Sequence, residues 1–181
     1  ANYILADGQK MVAKSPALRA RVEASVHNLA VIATASYMRS VSSEARSLDQ
    51  RRVHMALIDE IHEHPTDQVV DKMRAGTKGR RNALIFEITN AGYDRHSICW
   101  RHHDYSAKIL AGAIENDAWF AMLFELDEGD EWTDERVWPK ANPNLGVSVP
   151  HRYLREQVAD ALGMPAQQSI VRRLNFCAWT E

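Results

Sequence analysis

Two short apolar runs, Val53 to Ile58 and Leu84 to Ile88, stand out from the polar sequence around them. Their length and their Val, Ile, Leu and Phe content predict β-strands. Between them Val69, Val70 and Met73 recur at helical spacing, with Thr66 or Asp67 able to cap the start and Gly76 near the end. The intervening residues suffice for a right-handed crossover, so the two strands are predicted to be parallel neighbours in a βαβ unit. Upstream, Ile4, Leu5, Met11 and Val12 predict a helix that breaks at Ser15-Pro16 and restarts at Pro16. The β-branched run from Leu29 to Thr34 predicts a strand, and the polar, Ser-rich stretch from Ser36 to Gln50 a loop. Downstream, Tyr105 to Leu110 reads as a helix stopped at Gly112, and Trp119 to Leu126 as an aromatic-rich strand. Asp127 to Glu131 reads as an acidic turn and Asn142 to Gly146 as a loop. His151 to Ala161 and Gln167 to Phe176 read as helices.

Strands alternating with helices place the chain in the α/β class. In open α/β sheets ligands bind outside the carboxyl ends of the strands, and the first strand delivers two adjacent acids there, Asp59 and Glu60. This is the pattern of a Walker B motif: Asp59 on the Mg²⁺ side of a nucleotide triphosphate, Glu60 as the base that polarises the attacking water. Acids at a strand end also cap a following helix, and these two residues alone leave both readings open. The second strand ends in Thr89-Asn90-Ala91-Gly92, predicted to lie at the same sheet edge. Short hydroxyl and amide groups there can hydrogen-bond to water, to Glu60 or to a phosphate, and Gly92 lets the backbone turn closely. The same four residues equally suit an ordinary strand-to-helix turn.

The length of 181 residues fits one domain with room for a small appendage, and 45% hydrophobic with 25% charged residues is ordinary globular composition. A formal net charge of −2 carries no bulk signature of nucleic-acid binding, so any DNA contact must be local. Lys78, Arg80 and Arg81 form the best local basic cluster; it suits phosphate contact or charge donation to a neighbouring subunit, and equally a solvated turn. Cys99 and Cys177 are too few and too far apart for a disulfide framework or a CxxC knuckle, which suits a reducing cytoplasm. No apolar run reaches membrane-spanning length, and the start lacks the features of a signal peptide. The absence of an initiator Met suggests an excised segment.

His62 and His64 flank Glu63, but the spacing is not that of H-E-x-x-H, so a zinc site is not expected; His62 is placed near the nucleotide crevice. His96, His102 and His103 read as solvated helix-face residues. Trp119, Trp132, Trp138 and Trp179 read as packing anchors rather than base-stacking platforms. Nothing near Cys99 marks it as an unusually acidic thiol.

Several segments, in this order and spacing, resemble the large terminase subunit of tailed double-stranded DNA bacteriophages. They are Gln9-Lys10-Met11-Val12 with Ser15-Pro16-Ala17-Leu18, Leu57-Ile58-Asp59-Glu60-Ile61-His62, Ile88-Thr89-Asn90-Ala91-Gly92-Tyr93-Asp94, Glu125-Leu126-Asp127-Glu128, Asp130-Glu131-Trp132, Trp138-Pro139-Lys140-Ala141-Asn142-Pro143-Asn144-Leu145-Gly146 and Trp179-Thr180-Glu181. The resemblance implies the motor ATPase that packages DNA into the capsid, with Asp59 and Glu60 as the Walker B acids. Thr89, Asn90 and Gly92 then belong to the coupling motif, with Asn90 in place of its second Thr. No G-x-x-x-x-G-K-[ST] occurs in the chain, and Gly76-Thr77-Lys78-Gly79 lacks both its spacing and the preceding strand. The family pattern places the phosphate loop before Ala1 and the nuclease domain beyond Glu181.

The expected fold is therefore a partial P-loop nucleotidase-type sheet with flanking helices, followed by a small, mostly helical linker subdomain. Residues 1–112 form the partial ATPase core, and 113–181 the remainder of that domain and the linker. The resemblance implies ATP as substrate, Mg²⁺ as cofactor, and double-stranded DNA, the capsid portal and the small terminase subunit as partners. It also implies a homo-oligomeric motor, no membrane, and the cytoplasm of a bacterial host. The isolated segment is expected to be inactive without the phosphate loop. Two rivals remain at this stage: a helicase fragment, because Asp59-Glu60-Ile61-His62 spells a D-E-x-H box, and a non-catalytic, prophage-derived assembly module.

Overall fold

The computed structural model describes residues 2–41 and 52–180. Contacts divide the chain into two compact units, Ala1–Ala56 with Gln68–Ile85, and Leu57–Asp67 with Phe86–Glu181. The division falls inside both strands of the predicted βαβ unit.

In the first unit, helix α1 (Asn2–Lys14) buries Leu5 and Val12, two turns apart on one face. The chain breaks as expected at Ser15, whose hydroxyl accepts from the Leu18 N–H and caps the short α2 (Pro16–Arg19). Strands β1 (Glu23–Ala24), β2 (Leu29–Val31) and β3 (Ser36–Met38) form an antiparallel sheet, with Ala24 opposite Leu29 and Leu29 opposite Met38. Two sequence expectations change here. The strand expected over Leu29 to Thr34 stops at Val31, because Ile32–Thr34 forms a 3-10 turn closed by Ala35 in the left-handed region at φ 51°. The chain must reverse there for β3 to pair with β2, and that closure overrides the β preference of Ile32 and Thr34. The expected loop from Ser36 accordingly begins as strand β3, while residues 42–50 of it lie outside the described residues.

Helix α3 (Gln68–Gly76) buries Val69, Val70 and Met73, the three residues that predicted it. It hands the chain over through the Val53 N–H, which donates to the Gly76 carbonyl at 2.9 Å. Strands β4 (Met55–Asp59) and β5 (Leu84–Ile88) pair as expected. The Leu84 N–H donates to the His54 carbonyl and the Glu60 N–H to the Ile88 carbonyl, so the ladder advances along both strands in the same direction and the pair is parallel.

In the second unit, helix α4 (Ile98–Leu110) starts seven residues before the expected Tyr105, because the Ser97 hydroxyl caps it by accepting from the Trp100 N–H. Trp119 to Leu126 is not a strand. Its burial alternates with period two, Trp119, Ala121, Leu123 and Glu125 half-buried and Phe120, Met122 and Phe124 exposed, yet no strand pairs with it among the described residues. Alternation dictates an extended chain, but a strand also needs a neighbour. The inner face instead runs along α4, where the Trp119 indole donates to the Ser106 hydroxyl at 3.0 Å and Glu125 pairs with His103 at 2.7 Å.

The main core of this unit lies further along. Trp138 and Ala141 of α5 (Trp138–Ala141), Leu154, Val158 and Ala161 of α6 (His151–Gly163), and Val171 and Phe176 of α7 (Pro165–Phe176) pack together. Leu154, Val158 and Ala161 recur at i, i+4 and i+7 and form the buried stripe of α6, and the Trp138 indole satisfies its N–H on the Trp132 carbonyl at 2.8 Å. Among the described residues no helix is long and apolar enough to cross a membrane.

Candidate functional site

Strand β4 ends at Asp59, and the next residue breaks its conformation. Glu60 has φ 52° and ψ 53°, the left-handed region that costs a non-glycine residue about 1–2 kcal/mol. Its surroundings hold it there. The Glu60 N–H donates to Ile88 on the adjacent strand at 2.9 Å, and its carbonyl accepts from the Glu63 N–H at 2.9 Å to open a 3-10 turn over Ile61–Glu63. Ile61 plugs the core at 2% exposure. The effect is to turn the Glu60 side chain out of the strand's alternation, half exposed, beside the end of β5.

Thr89 to Gly92 follow β5 directly. The Thr89 hydroxyl donates to the Asn90 carbonyl at 3.0 Å and receives the His62 backbone N–H at 3.1 Å. The His62 ring, with only 3% of its side chain exposed, places Nδ1 at 3.0 Å from the same hydroxyl and 3.1 Å from Glu60 Oε2, and Nε2 at 3.1 Å from Glu63 Oε1. Thus the two sequence motifs meet at one sheet edge, joined by a histidine. Asp59 lies at the same edge, exposed, with its carbonyl 3.3 Å from His64 Nε2. The other two motif residues face a different neighbour. Asn90 Oδ1 is 3.8 Å from the Cys177 thiol, and Gly92 lies under Trp179, where an added Cβ would come within 3.0 Å of the indole. Close packing against the indole, and not a left-handed backbone, therefore favours glycine at Gly92.

Asp59 suits a hard cation. Mg²⁺ is held in nucleotide sites by one or two carboxylates, waters and the phosphates themselves, and the exposed Asp59 carboxylate at the end of β4 is a side chain of that type. No cluster of three or more His, Cys, Asp or Glu residues able to hold a metal occurs among the described residues. A cleft of about 200 Å³ opens beside the site, lined by residues including His62, His64, Asp67, Gly92 and Asp94, but not by Asp59 or Glu60.

The second layer carries features that were not read from the sequence. His102 and His103 are not solvated. His102 Nδ1 meets Glu87 at 2.6 Å and His103 Nε2 meets Glu125 at 2.7 Å, all four side chains largely buried. A charged residue in phase with Ile85 in an apolar strand was the available signal, because an inward Glu87 requires a partner. His96 is exposed, as expected. Burial pushes the Cys99 thiol above its ordinary value despite the Thr89 hydroxyl beside it, and burial likewise raises Cys177. Both remain protonated thiols at neutral pH. Lys78, Arg80 and Arg81 lie on an exposed turn, with the Arg80 guanidinium donating to the Arg52 carbonyl at 3.3 Å.

A family model described as the ATPase domain of the terminase large subunit matches residues 1–108, and one described as its endonuclease domain matches residues 113–181. Protein YmfN of Escherichia coli (strain K12) is 41% identical over 134 residues, covering 74% of this chain and 30% of that protein. The crystal structure of the HK97 bacteriophage large terminase superimposes with a TM-score of 0.82 at 19% identity, covering 97% of this chain and 36% of that one. The fold is therefore the mixed α/β arrangement expected. The chain spans about a third of the length of these relatives.

Proposed function

Because the chain belongs to the terminase large subunit family, we propose that it is a segment of the ATP-hydrolysing motor that packages double-stranded viral DNA into the capsid of a tailed bacteriophage. One observation carries the reading: Asp59-Glu60 and Thr89 to Gly92 end two adjacent parallel strands, and His62 bridges Glu60 to Thr89. Family membership displaces the helicase reading of the D-E-x-H spelling.

In this proposal Asp59 lies on the Mg²⁺ side of ATP, where bound Mg²⁺ would neutralise charge on the phosphates. Glu60 orients the attacking water and takes its proton. Thr89, Asn90 and Gly92 link the state of the phosphate to movement of the chain, Asn90 and Gly92 through their contacts with Cys177 and Trp179. Residues 1–112 form part of the ATPase core, and 113–181 its remainder and the connection toward the nuclease domain; the family model that matches 113–181 is itself described as the endonuclease domain, which favours an earlier boundary for that domain. The intact protein would act as a homo-oligomer on double-stranded DNA, with the portal and the small terminase subunit, in the cytoplasm of the host.

The test is Glu60→Gln in the full-length protein. Turnover should fall by the ~10²–10⁴ that accompanies loss of a general base, with nucleotide binding retained. Unchanged hydrolysis would remove Glu60 from this role. A wild-type full-length protein with no hydrolysis at all would favour a non-catalytic assembly module.

A further inference from the structure

We infer that His62 is a positioning residue that holds the Glu60 carboxylate in register with the Thr89 hydroxyl, an inference that rests on the role proposed above for Glu60. The Glu60 carboxylate can only accept, so Nδ1 of His62, 3.1 Å from Oε2, carries a hydrogen. The Thr89 hydroxyl receives the His62 backbone N–H at 3.1 Å and lies 3.0 Å from the same Nδ1. The ring N–H is shared between the carboxylate and the hydroxyl.

The sharing matters because of where Glu60 stands. Its backbone is held by the Ile88 carbonyl and the following turn, but its side chain is 51% exposed and would otherwise sample several rotamers. A general base must sit within hydrogen-bond reach of the water it deprotonates, and a displacement of about 1 Å can cost about a hundredfold in rate. The His62 ring is 3% exposed and anchored by its own backbone bond to Thr89, so it is the rigid partner of the pair. Any movement of Thr89 also changes how Nδ1 divides its hydrogen between hydroxyl and carboxylate. His62 thereby connects the coupling turn to the base.

The experiment measures ATP hydrolysis by the full-length protein, at steady state and in single turnover, for Glu60→Gln, His62→Ala, His62→Asn and the double variant Glu60→Gln/His62→Ala. His62→Ala should lower kcat about tenfold, as expected for a misplaced rather than a missing base, with KM changed less than about twofold. His62→Asn, whose amide N–H reaches the Nδ1 position, should recover most of that loss. In the Glu60→Gln background the His62 substitution should add no further loss, because two residues acting through one group are non-additive. Failure of Glu60→Gln itself to lower kcat would overturn the role proposed above for Glu60 and this inference with it. If Glu60→Gln is inactive but His62→Ala turns over within about twofold of wild type, only the inference falls. It falls as well if the two losses multiply, or if Asn is no better than Ala, as a purely structural histidine would give.

Discussion

At the scale of single residues, sequence and structure agree on identity and differ on reasons. Asp59, Glu60 and Thr89 stand at one sheet edge as their strand assignments implied, because a parallel pair necessarily brings its carboxyl ends together. The left-handed backbone of Glu60 was not legible, since no local rule places a glutamate there and only the Ile88 bond and the Ile61 plug impose it. Gly92 was read as a turn former, whereas its missing side chain makes room for Trp179, some ninety positions away in sequence. Gly92→Ala should therefore destabilise the protein by about 1–3 kcal/mol, the usual cost of overpacking. Denaturant unfolding checks this, and Trp179→Leu in the same background should recover part of the loss. An unaltered midpoint for Gly92→Ala would mean that the indole moves aside freely.

At the scale of elements, helices with a clean apolar stripe were legible and unpaired or capped segments were not. α3 appears where Val69, Val70 and Met73 predict it, and α6 over His151–Gly163, close to the His151 to Ala161 read as a helix. The start of α4 was missed because Ser97 becomes a cap only once the chain turns at Asp94, whose carbonyl accepts from the Ser97 hydroxyl. Charge adds a pH dependence to the segment around α5 and α6. Hydrogen bonds from Lys140, Arg136 and Arg155 lower Asp130, Asp134 and Glu135 respectively below the ordinary carboxylate range, Asp134 to about 2. Groups depressed in the folded state stabilise above their unfolded values, and that stability is lost as pH falls through the folded ones. The melting temperature should thus decline as pH drops from about 4 toward about 2, and these pairs should contribute no slope above about pH 5. All three pairs lie at the surface, Asp130 with 16% and Asp134 with 27% of its side chain exposed, so the effect is small and salt-sensitive. Lys140→Met together with Arg155→Met should flatten the acid limb; an identical limb in the double variant would assign it to other groups.

At the scale of the whole molecule, the chain exposes more apolar surface than a self-sufficient domain usually does. Leu84, Phe86 and Ile88 of β5 are exposed, as are Phe120, Met122 and Phe124 of the extended segment, with Phe120 at 85%. Parallel strands ordinarily have both faces covered, and this chain spans about a third of the length of its relatives. Expressed alone, the 181 residues should bind a hydrophobic dye and hydrolyse no ATP above background, because no phosphate loop occurs among them. Phe120→Ser with Met122→Ser should reduce dye fluorescence; turnover tracking the purified chain would contradict the expectation about activity. By itself the sequence determined the βαβ unit, the placing of Asp59-Glu60 and of Thr89 to Gly92 at its strand ends, and the resemblance that named the family, because periodicity and motif spacing are local properties of a chain. Only the tertiary structure decided that Trp119 to Leu126 remains unpaired, that Glu60 leaves its strand through a left-handed turn, and that His62 spans the two motifs. Each of those depends on a partner remote in sequence, and pairing, close packing and shared hydrogen bonds exist only once the chain has brought those partners together.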